Sequence, residues 1–204
     1  IGSRVGSTHT SSPPRTSGGI SAGGYHAYLR APPHRGAEAS GVASCRVMDI
    51  HLLGIPMDLG AGRRGVDMGA SALRLARLAP ALGALGHTLH DHGNVTVATA
   101  EATTNPEPLP YVEAIADACR ATYDTASRFP DDAFPVFLGG DHAISIGSVA
   151  GVRPRGRTGL LWIDAHADLN TPTTSPSGNV YGMPVAVLLG QGDPRLTGVG
   201  GPEA

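Results

Sequence analysis

The chain has 204 residues, 41% of them hydrophobic and 16% charged, enough for one α/β domain with a core of its own. A net charge of -2, with every basic residue an arginine, leaves no footprint for a polyanion, so no nucleic-acid partner is expected. No apolar run approaches the ~18 residues of a membrane span, and Cys45 and Cys119, neither in a Cys-x-x-Cys, fit a reducing, cytoplasmic setting better than a disulfide scaffold.

Residues 1–48 read as a leader. Up to Val47 the chain is Ser, Gly, Pro and Arg without hydrophobic period, with Glu38 its lone acid. Such a stretch cannot bury enough surface to offset its chain entropy, and disorder is expected. Its composition resembles a transit peptide, but the absence of an amphipathic helix favours Met48 as the natural start, preceded by sequence read in frame.

Asp49-Ile-His-Leu-Leu-Gly-Ile-Pro56 is the first expected strand, ended by Gly54 and Pro56. Met57 to Gly69 is a glycine-rich loop carrying Arg63 and Arg64, placed where α/β sheets put binding groups. Leu75, Leu78, Leu82 and Leu85 form one apolar stripe and predict a helix from Ser71 to Leu85, kinked or split at Pro80 and closed by Gly86. Thr88 to His90 reads as a short strand with a turn at Gly93-Asn94. His87, His90 and His92 lack a ligand spacing and read as edge histidines. Thr103 to Pro110 is a loop. Tyr111 to Phe129 is a helix with Val112, Ile115, Ala116, Cys119, Tyr123 and Ala126 on one face, which makes Cys119 a core residue rather than a nucleophile.

Phe134-Pro-Val-Phe-Leu138 is a second buried strand. It runs into Gly139-Gly-Asp-His142 and then a helix from Ala143 to Val149. The glycines let the backbone bend sharply under a ligand, and Asp141 reads as an orienting or capping group. Leu160 to Ile163, after Gly159, is a third expected buried strand. Directly after it Asp164, His166 and Asp168 alternate with alanines, so in an extended segment all three project to one side, roughly 6.5 to 7 Å apart. Two carboxylates and an imidazole suit manganese, zinc or iron better than calcium. In a parallel sheet the site lies at the carboxyl ends of the strands, which brings His142 to the same rim. Asn170 opens a proline-stiffened polar loop through Ser177, Asn179 and Tyr181, followed by a helix from Val185 to Leu189.

Gly139-Gly-Asp-His142, Asp164-Ala-His-Ala-Asp168 with Asn170, and Ser177-Gly-Asn-Val-Tyr-Gly-Met-Pro184 together resemble the arginases of the ureohydrolase family. Gly54-Ile-Pro-Met-Asp-Leu-Gly60 and Arg63-Arg-Gly-Val-Asp-Met-Gly69 are similar to the bacterial type, and the resemblance runs from about Asp49 to Gly201. It implies an α/β fold, a parallel sheet flanked by helices in three layers (α/β/α), of which residues 49–204 are the N-terminal portion. It also implies hydrolysis of the guanidinium of L-arginine to L-ornithine and urea by a two-manganese (Mn2+) site, and assembly as a homotrimer or homohexamer. One manganese would take His142, Asp164 and Asp168, and the other His166, with Asp164 bridging. Asn170, Ser177 and Asn179 would hold the substrate carboxylate, which favours arginine over agmatine. Asp168 and Tyr181 are the residues assigned to catalysis. The chemistry is consistent with that assignment: a guanidinium is a poor electrophile, and a metal-bound hydroxide is a nucleophile available near neutral pH.

Two departures stand out. Tyr181 occupies the position of a family histidine thought to shuttle a proton, and a phenol with pKa about 10 titrates poorly at neutral pH, so a slowed enzyme or a displaced pH optimum is expected. The family's second aspartate pair has no counterpart in the 204 residues, so the chain alone is expected to be weak or inactive. The alternatives are an agmatinase or other guanidino-acid hydrolase, and a non-catalytic metal-binding homologue.

Overall fold

Strand β1 (Asp49–Ile55) is the centre of the fold in a computed structural model that describes residues 46–103, 109–153 and 159–201. It pairs in parallel with β2 (Thr88–Asn94) on one side and β3 (Phe134–Gly139) on the other, giving a three-stranded sheet of order β2-β1-β3. All of β1 after Asp49 is buried because both faces are covered. Leu52 packs with Ala70, Leu138 and Leu78 on one face, whereas Leu53 and Ile55 join Ile115, Cys119 and Ile146 on the other. Helices α1 (Gly69–Leu75) and α2 (Leu78–Ala84) form the first outer layer, and α3 (Val112–Ala126) and α4 (Ile144–Val152) the second. The expected three-layer α/β/α architecture is therefore present. Short helices α5 (Pro184–Leu188) and α6 (Pro194–Thr197) follow the polar loop.

Helix α3 buries Val112, Ile115, Ala116, Cys119 and Ala126, the face its periodicity marks. The helix expected from Ser71 to Leu85 is split, but not at Pro80: the break is at Arg77, whose φ is 66°. Pro80 falls in the first turn of α2, where its missing N–H removes no intrahelical bond. The leucine stripe is also less buried than its period suggests, since Leu75 and Leu85 lie exposed and Leu78 carries the contact with the sheet face. Strand β2 is longer than expected and runs through Gly93, whose φ of 74° accommodates the irregularity opposite Leu52–Gly54.

The larger correction concerns Leu160 to Ile163. The run is not a strand, and Leu161 and Ile163 are 83% and 89% exposed. An apolar segment becomes a buried strand only where an edge pairs with it and a layer covers it. Among the described residues no strand or helix does either for this run. Nearly all of the expected leader, and Thr104 to Pro108 of the expected loop, lie outside the described residues.

Candidate functional site

Ile55 and Gly139 are register partners, so the loops leaving β1 and β3 emerge side by side at the carboxyl rim of the sheet. Gly140 lies so close to the backbone of Met57 that a Cβ there would overlap the Met57 carbonyl. That approach lets the Asp141 N–H donate to Met57 O at 2.7 Å. The buried Asp141 carboxylate accepts from the N–H groups of Gly60 at 2.8 Å and Ala143 at 2.9 Å, stitching the two loops together. Burial pushes this carboxyl up to about 6 against the pull of those donors. In the β1 loop, Asp58 accepts from Arg64 Nε at 2.8 Å and from Gly65 N–H at 3.0 Å, so Arg64 holds the loop rather than facing a ligand.

This scaffold delivers His142 to Asp164 and Asp168. His142 Nδ1 lies 2.9 Å from an oxygen of Asp164 and 2.9 Å from Oδ2 of Asp168, and one donor atom from each residue fits within 4.8 Å. The acids do not arrive by strand alternation, as the sequence suggested. The chain bends over Asp164 to His166, and Asp168 takes a left-handed φ of 48°. The bend lets the His166 N–H donate to Asp164 Oδ1 at 2.8 Å, a bond that holds the Asp164 carboxyl below its ordinary range. Asp168 is buried, which raises its carboxyl instead. His166 is swung outward, its side chain 79% exposed and its Nδ1 3.2 Å from Asp164 Oδ1, outside the three-donor cluster.

Asp168 Oδ2 lies 2.9 Å from His142 Nδ1, and among the described residues no donor is aligned to hydrogen-bond this buried oxygen. Such a group is costly unless something cationic faces it. Two carboxylates, an imidazole and an orphaned buried oxygen fit a divalent cation of the manganese, zinc or iron kind. Trp162 stacks on the His142 ring with centroids 4.4 Å apart. Apolar patterning places Trp162 only in a strand interior; the signal that sets it apart is that it is the single tryptophan and stands two residues before the first acid.

Beside the cluster lies a cleft of about 390 Å³ lined by His166, Asp168, Asn170, Ser177, Asn179 and Tyr181 among others. Six of the eight residues singled out from the sequence therefore share one cavity, and Asp168 joins it to the His142 cluster. Tyr181 N–H donates to Gly60 O at 3.1 Å and Asn170 N–H to Gly182 O at 3.2 Å, so the polar loop hangs on the β1 loop. Ser177 Oγ accepts from Asn179 N–H at 3.3 Å, and Asn170 Oδ1 from Thr174 Oγ1 at 3.3 Å, which sets the turns that present these side chains.

The Arginase family matches residues 48–200. The chain belongs to the arginase family. It is 43% identical over 155 residues to an arginase of Brevibacillus brevis, covering 75% of this chain and 52% of that protein. Its fold superposes on the native arginase of Bacillus caldovelox with a TM-score of 0.71 at 43% identity, over 76% of this chain and 53% of the other. It also matches an arginase of Entamoeba histolytica, solved in complex with L-ornithine, at 28% identity and a TM-score of 0.67, over 76% of this chain and 54% of that one. The chain spans about half the length of the curated relatives it matches.

Proposed function

We propose that this arginase-family chain contributes His142, Asp164, His166 and Asp168 to a two-manganese site that, in the complete protein, hydrolyses the guanidinium of L-arginine to L-ornithine and urea. The observation that carries the reading is the convergence of His142 on Asp164 and Asp168 around a buried oxygen that has no aligned donor among the described residues. His142, Asp164 and Asp168 would hold one cation, and His166, with Asp164 shared, the other. The chemistry such cations supply is Lewis-acid activation of water near neutral pH. Asp168, at the junction of cluster and cleft, orients the reacting water and stabilises the cationic substrate. Asn170, Ser177 and Asn179 offer amide and hydroxyl donors for an α-carboxylate, which supports arginine over agmatine. The L-ornithine held by the Entamoeba histolytica arginase supports the same substrate class.

Tyr181 reaches the same cleft with a phenol that donates and accepts hydrogen bonds. Four candidate ligand residues are few for two cations, so the 204-residue chain by itself turns over little or no arginine.

The test is a chimera in which residues 48–200 replace the matching segment of the Brevibacillus brevis arginase. With manganese it should release ornithine and urea, prefer arginine to agmatine, and lose turnover on His142→Ala. A folded chimera that binds manganese but leaves arginine intact would contradict the proposal. Tyr181→His in the chimera should raise turnover or move the pH optimum; identical rates at every pH would remove Tyr181 from the reaction.

A further inference from the structure

The amino ends of β1 and β2 carry a second group of metal-ligand side chains, apart from the rim just described. In the parallel register Asp49 pairs with Thr88 and His51 with His90, so Asp49, His51, His90 and His92 fall on one face of neighbouring strands. His90 Nε2 lies 2.7 Å from Asp49 Oδ1, and His92 Nε2 lies 2.9 Å from His51 Nδ1. One donor atom each from Asp49, His51 and His90 fits within 4.8 Å. Sequence spacing alone does not reveal this grouping, because the partners of His90 and His92 are supplied by β1, some forty residues earlier.

We infer that Asp49, His51 and His90 form a binding site for a divalent cation of borderline softness, typified by zinc, that clamps edge strand β2 to β1. The donor set decides the class. Two imidazoles and one carboxylate favour zinc or iron over the harder magnesium or calcium. Zinc bonds of about 2.0 Å put tetrahedral donors about 3.3 Å apart, so the Asp49–His90 pair opens by roughly half an ångström and His51 closes in. The ring of His51 is oriented by its neighbours. It is buried, stands 5.1 Å from Phe129 and 5.0 Å from His92, ring centre to ring centre, and hydrogen-bonds to the latter. His92 is thus a positioning residue for His51. Asp49 and His90 are about half exposed, which leaves solvent access for a cation and a water ligand. Six residues of strand, roughly 20 Å, separate Asp49 from the carboxyl end of β1, so the two clusters are independent. The site stands whether or not the arginine-hydrolysis reading holds.

The test uses zinc chloride and the whole chain carrying His142→Ala, Asp168→Asn and Cys45→Ser, which silences the rim cluster and one thiol. Equilibrium dialysis should show about one zinc bound per chain, and zinc should raise the melting temperature. Adding His90→Ala should weaken binding at least tenfold and abolish the thermal shift, while His92→Ala should weaken it severalfold. Both histidines are exposed, and circular dichroism should stay unchanged without zinc. No zinc uptake by the silenced chain, or uptake that His90→Ala leaves intact, would overturn the inference.

Discussion

Trp162 lies face to face with His142, ring planes 19° from parallel and centroids 4.4 Å apart. The imidazole that meets two carboxylates is thereby held on its flat side by an apolar wall, which limits its rotation and leaves its edge for the acids. Replacing Trp162 with Leu removes the flat surface but keeps apolar bulk, and should weaken manganese binding severalfold by loosening His142. Electron paramagnetic resonance of free manganese reads the change, and an unaltered isotherm would show that the stack has no orienting role.

Gly140 is required by the close approach to Met57. Gly140→Ala should cost about 1–3 kcal/mol, the range for forcing atoms into packed space, because the obstacle is backbone and cannot rotate away. Gly83, inside α2 with nothing near its Cβ position, should respond in the opposite sense, with Ala stabilising by about 0.5–1 kcal/mol. Urea midpoints of the two variants would settle it; a Gly140→Ala chain as stable as the parent sinks the account of the loop.

Cys119 sits on the buried face of α3, and burial pushes its thiol up to about 12 from an ordinary 9.0. The folded chain keeps this proton while the unfolded chain sheds it, so between those two values stability falls as pH rises. The slope contributed is at most about 1.4 kcal/mol per pH unit. Cys119→Ala should flatten that part of the stability profile, and in a Cys45→Ser chain Cys119 should resist alkylation at pH 9 until denaturant is added. Rapid labelling of the folded chain would contradict its burial.

Ile115 and Ile163 test the two apolar classes directly. Ile115 is fully buried in the α3 core and Ile163 is 89% exposed. Ile115→Ala should therefore cost about 2–5 kcal/mol and Ile163→Ala less than about 0.5 kcal/mol. Equal losses by chemical denaturation would mean that Ile163 is covered.

These contrasts mark what the sequence makes legible. Local periodicity identifies α3, and the β1 run identifies itself because both faces are covered within the same chain; the β3 run is a strand as expected but not a buried one, since Phe134 is half exposed and only Leu138 is buried. The run Leu160–Ile163 carries the same composition but finds no pairing edge among the described residues, and composition alone cannot report a missing neighbour. At the site, ligand type was readable from Asp164, His166 and Asp168, whereas their approach was not. A bend and the left-handed backbone of Asp168, rather than strand alternation, bring the two acids to His142 and turn His166 outward. The His51–His90 pairing was invisible for another reason, since it depends on parallel register between strands far apart in the chain.

The central claim is that His142, Asp164 and Asp168 hold one cation together, and a manganese binding isotherm of the chain against its Asp168→Asn variant tests it most directly. The substitution keeps the shape of the side chain and removes the buried charge that faces His142. Saturable binding by the parent, weakened at least tenfold in Asp168→Asn, is the predicted result. Equal binding by the two chains, or none by either, would contradict it.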